Sequence, residues 1–124
     1  VIALRSPKEI AAMRKAGLVV WHALALARSL VRPGVTTGEI DKAVERFFAA
    51  QGVQPLFKGV PGKVPYPAVT CISVNEEVVH GIPGPRKLKP GDIVSIDTGC
   101  RVGGWGGGAA ATVVLGPRQA RGRG

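Results

Sequence analysis

The chain is short of acids, aromatic rings and cysteines. Eight Asp and Glu stand against seventeen Lys and Arg, for a net charge of +9. Such a surplus suits an acidic surface, either nucleic acid or an acidic protein, or serves solubility alone. Aromatic residues make up only 5% of the chain, and no aromatic RNP-type strand marks an RNA-binding module. The two cysteines, Cys71 and Cys100, fall at no metal-type spacing. No unbroken apolar run reaches the roughly 18 residues of a bilayer-spanning segment. The greasiest stretch, Trp21–Leu26, is interrupted by His22 and followed by Arg28 and Arg32. No signal peptide is legible, because Lys8 and Glu9 sit where its apolar core would be. Reduced thiols in a cytoplasmic compartment are therefore expected. The first residue is Val1 rather than Met, which fits a fragment or a non-standard start codon.

What is present reads as one globular domain: 124 residues, 45% hydrophobic and 20% charged. Ser6-Pro7-Lys8-Glu9 is a capping box with proline at the first helical position. Ile10, Met13, Gly17, Val20, Leu24, Ala27 and Val31 follow in steps of three and four, which predicts one buried helical stripe. Pro33-Gly34 ends that helix. A second begins at Thr36 or Thr37, with Glu39 near its third position, a stripe of Ile40, Ala43, Val44, Phe47 and Phe48, and Gly52 as its stop. The prolines and glycines of 54–67 exclude regular structure and predict a loop, either a binding loop or a linker. Strands are expected over 68–74, 78–80, 92–97 and 109–115. The glycine cluster at 103–108 lacks the Lys and Ser/Thr of a phosphate-binding loop. After Gly116 the Pro-Arg-Gln-Ala-Arg-Gly-Arg-Gly tail has no apolar periodicity and is expected to be disordered.

Two residues stand out chemically. His80 lies beside the Gly81-Ile82-Pro83 turn, and an imidazole there suits either proton handling or a purely structural place. Asp97 closes an apolar strand, where a carboxylate needs a cation or several donors, or acts as a turn cap. His22 falls off the helical stripe and reads as a surface residue. Near these motifs the remaining acids are Asp92, Glu76 and Glu77, and their spacing alone does not build a metal centre.

Several motifs in order resemble the N-terminal half of a type I methionine aminopeptidase. They are the Ser-Pro-Lys-Glu-Ile-Ala-Ala-Met-Arg-Lys-Ala-Gly opening at 6–17, Val-Arg-Pro-Gly-Val-Thr-Thr at 31–37, Cys-Ile-Ser-Val-Asn-Glu at 71–76, His-Gly-Ile-Pro at 80–83, and Lys-Pro-Gly-Asp-Ile-Val-Ser-Ile-Asp at 89–97. The resemblance covers residues 3 to about 116, which sets a domain over 1–116 and a tail over 117–124. It implies an α/β (α+β) fold, half of a pita-bread architecture, with two helices packed on a small, mostly antiparallel sheet. It also implies a site for two divalent ions (Co, Mn, Fe or Zn) between two such halves, and removal of initiator methionine from nascent peptides. Nascent-peptide N-termini and the ribosome are the partners implied, with no membrane and no DNA. By the match, His80 contacts substrate and stabilises the reacting peptide bond. Asp97 is the first metal-bridging carboxylate. Tyr66 and Cys71 line the methionine pocket, and Phe57 joins them by a weaker alignment. His80 and Asp97 are expected to share a cleft with Tyr66 and Cys71 on its wall.

The departures are equally specific. The family's second metal-binding aspartate corresponds to Gly108, which has no side chain to ligate. The remaining ligands belong to the family's second half, so this chain is expected to bind no metal and to be inactive by itself. The alternative is a non-catalytic basic module that docks on ribosomal RNA or an acidic protein.

Overall fold

The computed structural model describes residues 6–61, 65–75 and 81–116. Helix α1 (Pro7–Leu30) starts at the Ser6 capping box: Glu9 N–H donates to Ser6 Oγ at 3.1 Å, and Ser6 N–H to Glu9 Oε1 at 2.7 Å. Helix α2 (Thr37–Gln51) repeats the device with Thr36 and Glu39 and stops at Gly52, whose φ of 69° is the left-handed conformation glycine tolerates. Strands β1 (Gln54–Pro55), β2 (Thr70–Val74), β3 (Ile93–Val102) and β4 (Trp105–Val114) form one antiparallel sheet. β3 is its spine. β4 pairs along its whole length on one side, while β2 and then β1 pair on the other.

The period-2 alternation of β3 divides the sheet into two unlike faces. Val94, Ile96, Thr98 and Cys100 are buried, together with Ile72 and Val74 of β2. Against them pack Ala16, Val19, Val20, Ala23, Leu24 and Ala27 of α1 and Ile40, Val44 and Phe48 of α2. Ser95 and Asp97 point to the opposite, open face, on which neither α1 nor α2 packs. Two helices on one side of a small antiparallel sheet is the architecture the sequence predicts.

The phase of α1 differs from expectation at its start. Ile10 and Met13 are 42% and 41% exposed, and Gly17 is exposed as well. The buried arc runs instead through Ala16, Val19, Val20, Ala23, Leu24, Ala27 and the cap residue Val31. A Cβ at Gly107 would lie 3.6 Å from the Ala16 methyl, so Ala16 already sits near the β3–β4 turn at Gly103-Gly104. The first two turns of α1 extend past that end of the sheet. By length and composition α1 could also cross a bilayer, although its buried arc is spent on the sheet.

The glycine cluster is mostly strand. Only Gly103 and Gly104, with φ of 55° and 86°, make the turn, and Gly106, Gly107 and Gly108 pair with Arg101, Cys100 and Gly99. Leu56 explains part of this choice: a Cβ on Gly99 would lie 2.7 Å from its Cδ1. Within the expected loop, Gln54 and Pro55 pair with Arg101 and Cys100. The short strand expected at 78–80 and the tail at 117–124 lie outside the described residues.

Two carboxylates tie the loops to this frame. Asp41, buried on α2, accepts from Val69 N–H (3.1 Å), Thr70 N–H (2.9 Å) and Thr70 Oγ1 (2.6 Å), fixing the head of β2 to the helix. Asp92 accepts from Asn75 Nδ2 at 3.0 Å and Lys89 N–H at 2.9 Å, closing the Lys89–Asp92 turn. Asp41→Ala orphans buried backbone donors and should cost about 3 kcal/mol in urea unfolding, with Asp41→Asn costing less. The Asn75 amide, chiefly, lowers the Asp92 pKa. Its stabilisation is therefore complete above the unfolded carboxylate value of about 3.9 and is lost as pH falls through the lower folded value. Asp92→Ala should be less stable than the parent by about 1–3 kcal/mol at pH 7. That gap should shrink in melts below about pH 4; a gap independent of pH would contradict the assignment.

Candidate methionine pocket and metal-ligand positions

The loop between β1 and β2 folds on itself through backbone bonds. Val60 N–H donates to Phe57 O (3.1 Å), Tyr66 N–H to Val60 O (3.1 Å), and Gly59 N–H to Tyr66 O (2.8 Å). This brings the Phe57 and Tyr66 rings edge to face, with centroids 6.3 Å apart. The Tyr66 hydroxyl donates to Thr70 O at 2.8 Å, fastening the loop to β2. Cys71, the next residue, is directly opposite Asp97 in the β2–β3 register, so both belong to the open face.

These pieces line an open cavity of about 280 Å³, with Phe57, Val60, Tyr66, Cys71 and Asp97 on its walls. The structure thus brings Phe57, Tyr66, Cys71 and Asp97 together. Val60 was missed by sequence reasoning: a lone valine in a stretch of prolines and glycines gives no periodicity to flag it. His80 lies outside the described residues. Its neighbour Gly81 is buried against β2, its carbonyl accepting from Ile72 N–H at 2.6 Å, and a Cβ there would come within 2.8 Å of Ile72 O. The histidine motif therefore needs glycine at 81 for close backbone approach.

Electrostatically the cavity is unusual. Asp97 has no hydrogen bond or ion pair among the described residues, although much of the residue meets solvent. Partial desolvation against the apolar wall raises its pKa. Burial, reinforced by the Cys71 thiol and the carboxylates of Asp41 and Asp97, pushes the Tyr66 phenol well above its ordinary value, so it stays protonated. Cys100 is on the other side of β3, buried under α1 with its thiol donating to Ala16 O at 3.6 Å. It serves packing, and the opposite faces keep it from pairing with Cys71.

Gly108 pairs with Gly99, two residues from Asp97 along β3, so positions 97 and 108 share the open face as diagonal neighbours. Its φ is not positive, and a Cβ there would meet only Thr98 O at 3.3 Å and Gly99 Cα at 3.9 Å. The backbone accommodates a side chain with a small shift; the glycine removes a possible ligand without answering a conformational need. Among the described residues no three His, Cys, Asp or Glu side chains converge to hold a metal ion. Asp97 with Gly108 does not fit a metal pair.

Comparison with known proteins agrees with this geometry. The sequence is 47% identical over 115 residues to a methionine aminopeptidase of Clostridium perfringens, covering 93% of this chain and 45% of that protein. It is 44% identical to methionine aminopeptidase 1 of Bacillus subtilis over the same shares. The crystal structure of methionine aminopeptidase from Thermotoga maritima superposes with a TM-score of 0.85 at 43% identity, over 99% of this chain and 49% of that one. The chain thus spans about half the length of the relatives it matches. A sequence match to metallopeptidase family M24 covers residues 11–123, running past residue 116, where the motif resemblance ends. By that match, and by its likeness to these relatives, the chain belongs to metallopeptidase family M24.

Proposed function

We propose that residues 1–116 form the half of a methionine aminopeptidase that holds the substrate's methionine side chain, and that this chain alone does not hydrolyse peptides. The cavity carries the reading. An apolar slot walled by Phe57, Val60 and Tyr66, with the Cys71 sulfur beside it, suits a flexible, polarisable thioether. Asp97 at the same cavity supplies a negative charge for a peptide's α-ammonium group. By the family match, His80 contacts the peptide bond next to the bound methionine. Tyr66, held protonated and hydrogen-bonded to Thr70 O, positions the wall and takes no part in proton transfer.

Asp97 would be this chain's contribution to a two-metal site, whose ions would supply Lewis-acid chemistry. With Gly108 in place of a second carboxylate, no step is assigned to them here. The substrate class is nascent-peptide N-termini, which places the function in the cytoplasm near the ribosome. The segment 117–124 is a basic tail to this half-domain.

A Met-Ala-Ser peptide should shift the backbone NMR resonances of Phe57, Tyr66 and Cys71, and its N-acetylated form should bind about tenfold more weakly, the loss of one charge-assisted contact. No methionine should be released with Co(II), Mn(II) or Fe(II). Absence of shifts at the pocket would remove the binding role. Metal-dependent methionine release by the purified chain would refute the inactive reading.

A further inference from the structure

The outward face of α1 is chemically one-sided. Leu18 and Trp21 are 60% and 64% exposed, and Ile10 is 42% exposed, all on the arc opposite the buried stripe. Arg14, Lys15 and Arg28 lie among or beside them, exposed and without an ion pair among the described residues. The helix's single acid, Glu9, is committed to the cap. A solvent-facing arc would ordinarily carry acids and bases together; beyond the cap this one has no acid. It is also grooved: Ile10, Ala11, Arg14, Lys15, Leu18 and His22 line an open groove of about 730 Å³, with Gln51 at the end of α2 on its edge.

We propose that this groove docks an acidic amphipathic helix of a partner protein. The apolar side of such a helix covers Ile10 and Leu18, and its carboxylates meet Arg14 and Lys15, the helix-in-groove mode of recognition. Concavity favours a helix over a flat bilayer. The apolar lining, with neither a phosphate-tracking row of cations nor a stacking platform beyond Trp21, favours protein over RNA. The net charge of +9 disfavours a second copy as occupant. This surface lies on the helix layer, away from the open face that carries Asp97, and stands independently of the aminopeptidase reading.

The test is selection of 18-residue helical peptides from a display library against the purified 124-residue chain, followed by fluorescence polarisation with the recovered peptides. Expected are peptides alternating Leu or Phe with Glu or Asp at helical spacing. Their affinity should fall at least tenfold with Leu18→Glu and with Arg14→Glu, remain unchanged with Arg46→Glu on α2, and weaken with salt. Circular dichroism of each variant confirms retained fold, since all three positions are exposed. Several results would overturn the proposal: an empty selection, recovered peptides without carboxylates, or affinities indifferent to Leu18→Glu. So would Leu18-dependent binding to phosphatidylserine vesicles or poly(U), or Leu18-dependent self-association in sedimentation, in place of peptide binding.

Discussion

The alternation of β3 is the constraint on which the rest depends. Val94, Ile96, Thr98 and Cys100 must go under the helices, and this forces Ser95, Asp97 and Gly99 to the other side. A one-residue slip in register would bury the Asp97 carboxylate in an apolar core and expose the strand's valine and isoleucine. Pairing on both sides prevents this: β4 runs along all ten residues of β3, and β2 along five. Burial of the core and presentation of the acid are one event.

The pocket follows from the same frame through a few polar ties. Asp41 fixes the start of β2, Tyr66 hangs its loop from Thr70, and Cys71 then falls opposite Asp97. The Asp41–Thr70 bond and the Cys71–Asp97 pairing join segments distant in sequence, while the Tyr66–Thr70 bond and the loop's own backbone bonds are local, so scaffold and loop together hold the wall. The pocket wall therefore persists although the position diagonal to Asp97 carries no side chain. In the proposed reading, Phe57, Val60, Tyr66 and Cys71 serve side-chain binding, and none of them depends on position 108.

Local chemistry made much of the fold legible. The Ser6 capping box, the start of α2, the Gly52 stop, β2, the first half of β3 and the second half of β4 are written in short-range signals; β3 runs on from the expected end at Asp97 to Val102 because those residues pair with β4. The start of α1 misled, because Ile10 and Met13 keep a helical period where the sheet beneath them has ended. The glycines at 106–108 misled for the converse reason: they look like loop, but β3 pairs with them and Leu56 packs beside Gly99 and Gly106. At the site, spacing alone could not join Phe57, Tyr66, Cys71 and Asp97. The motif resemblance named them, and the fold brings them to one cavity. Val60 carries no such motif, and His80 falls outside the described residues.

Among the described residues, Asp97 stands without the partners a metal pair requires. Titration calorimetry of the purified chain with Mn(II) and with Co(II), alongside Asp97→Ala, tests it directly. No saturable uptake is expected, with indistinguishable traces for the two proteins. Saturable binding of two ions per chain, abolished by Asp97→Ala, would contradict it.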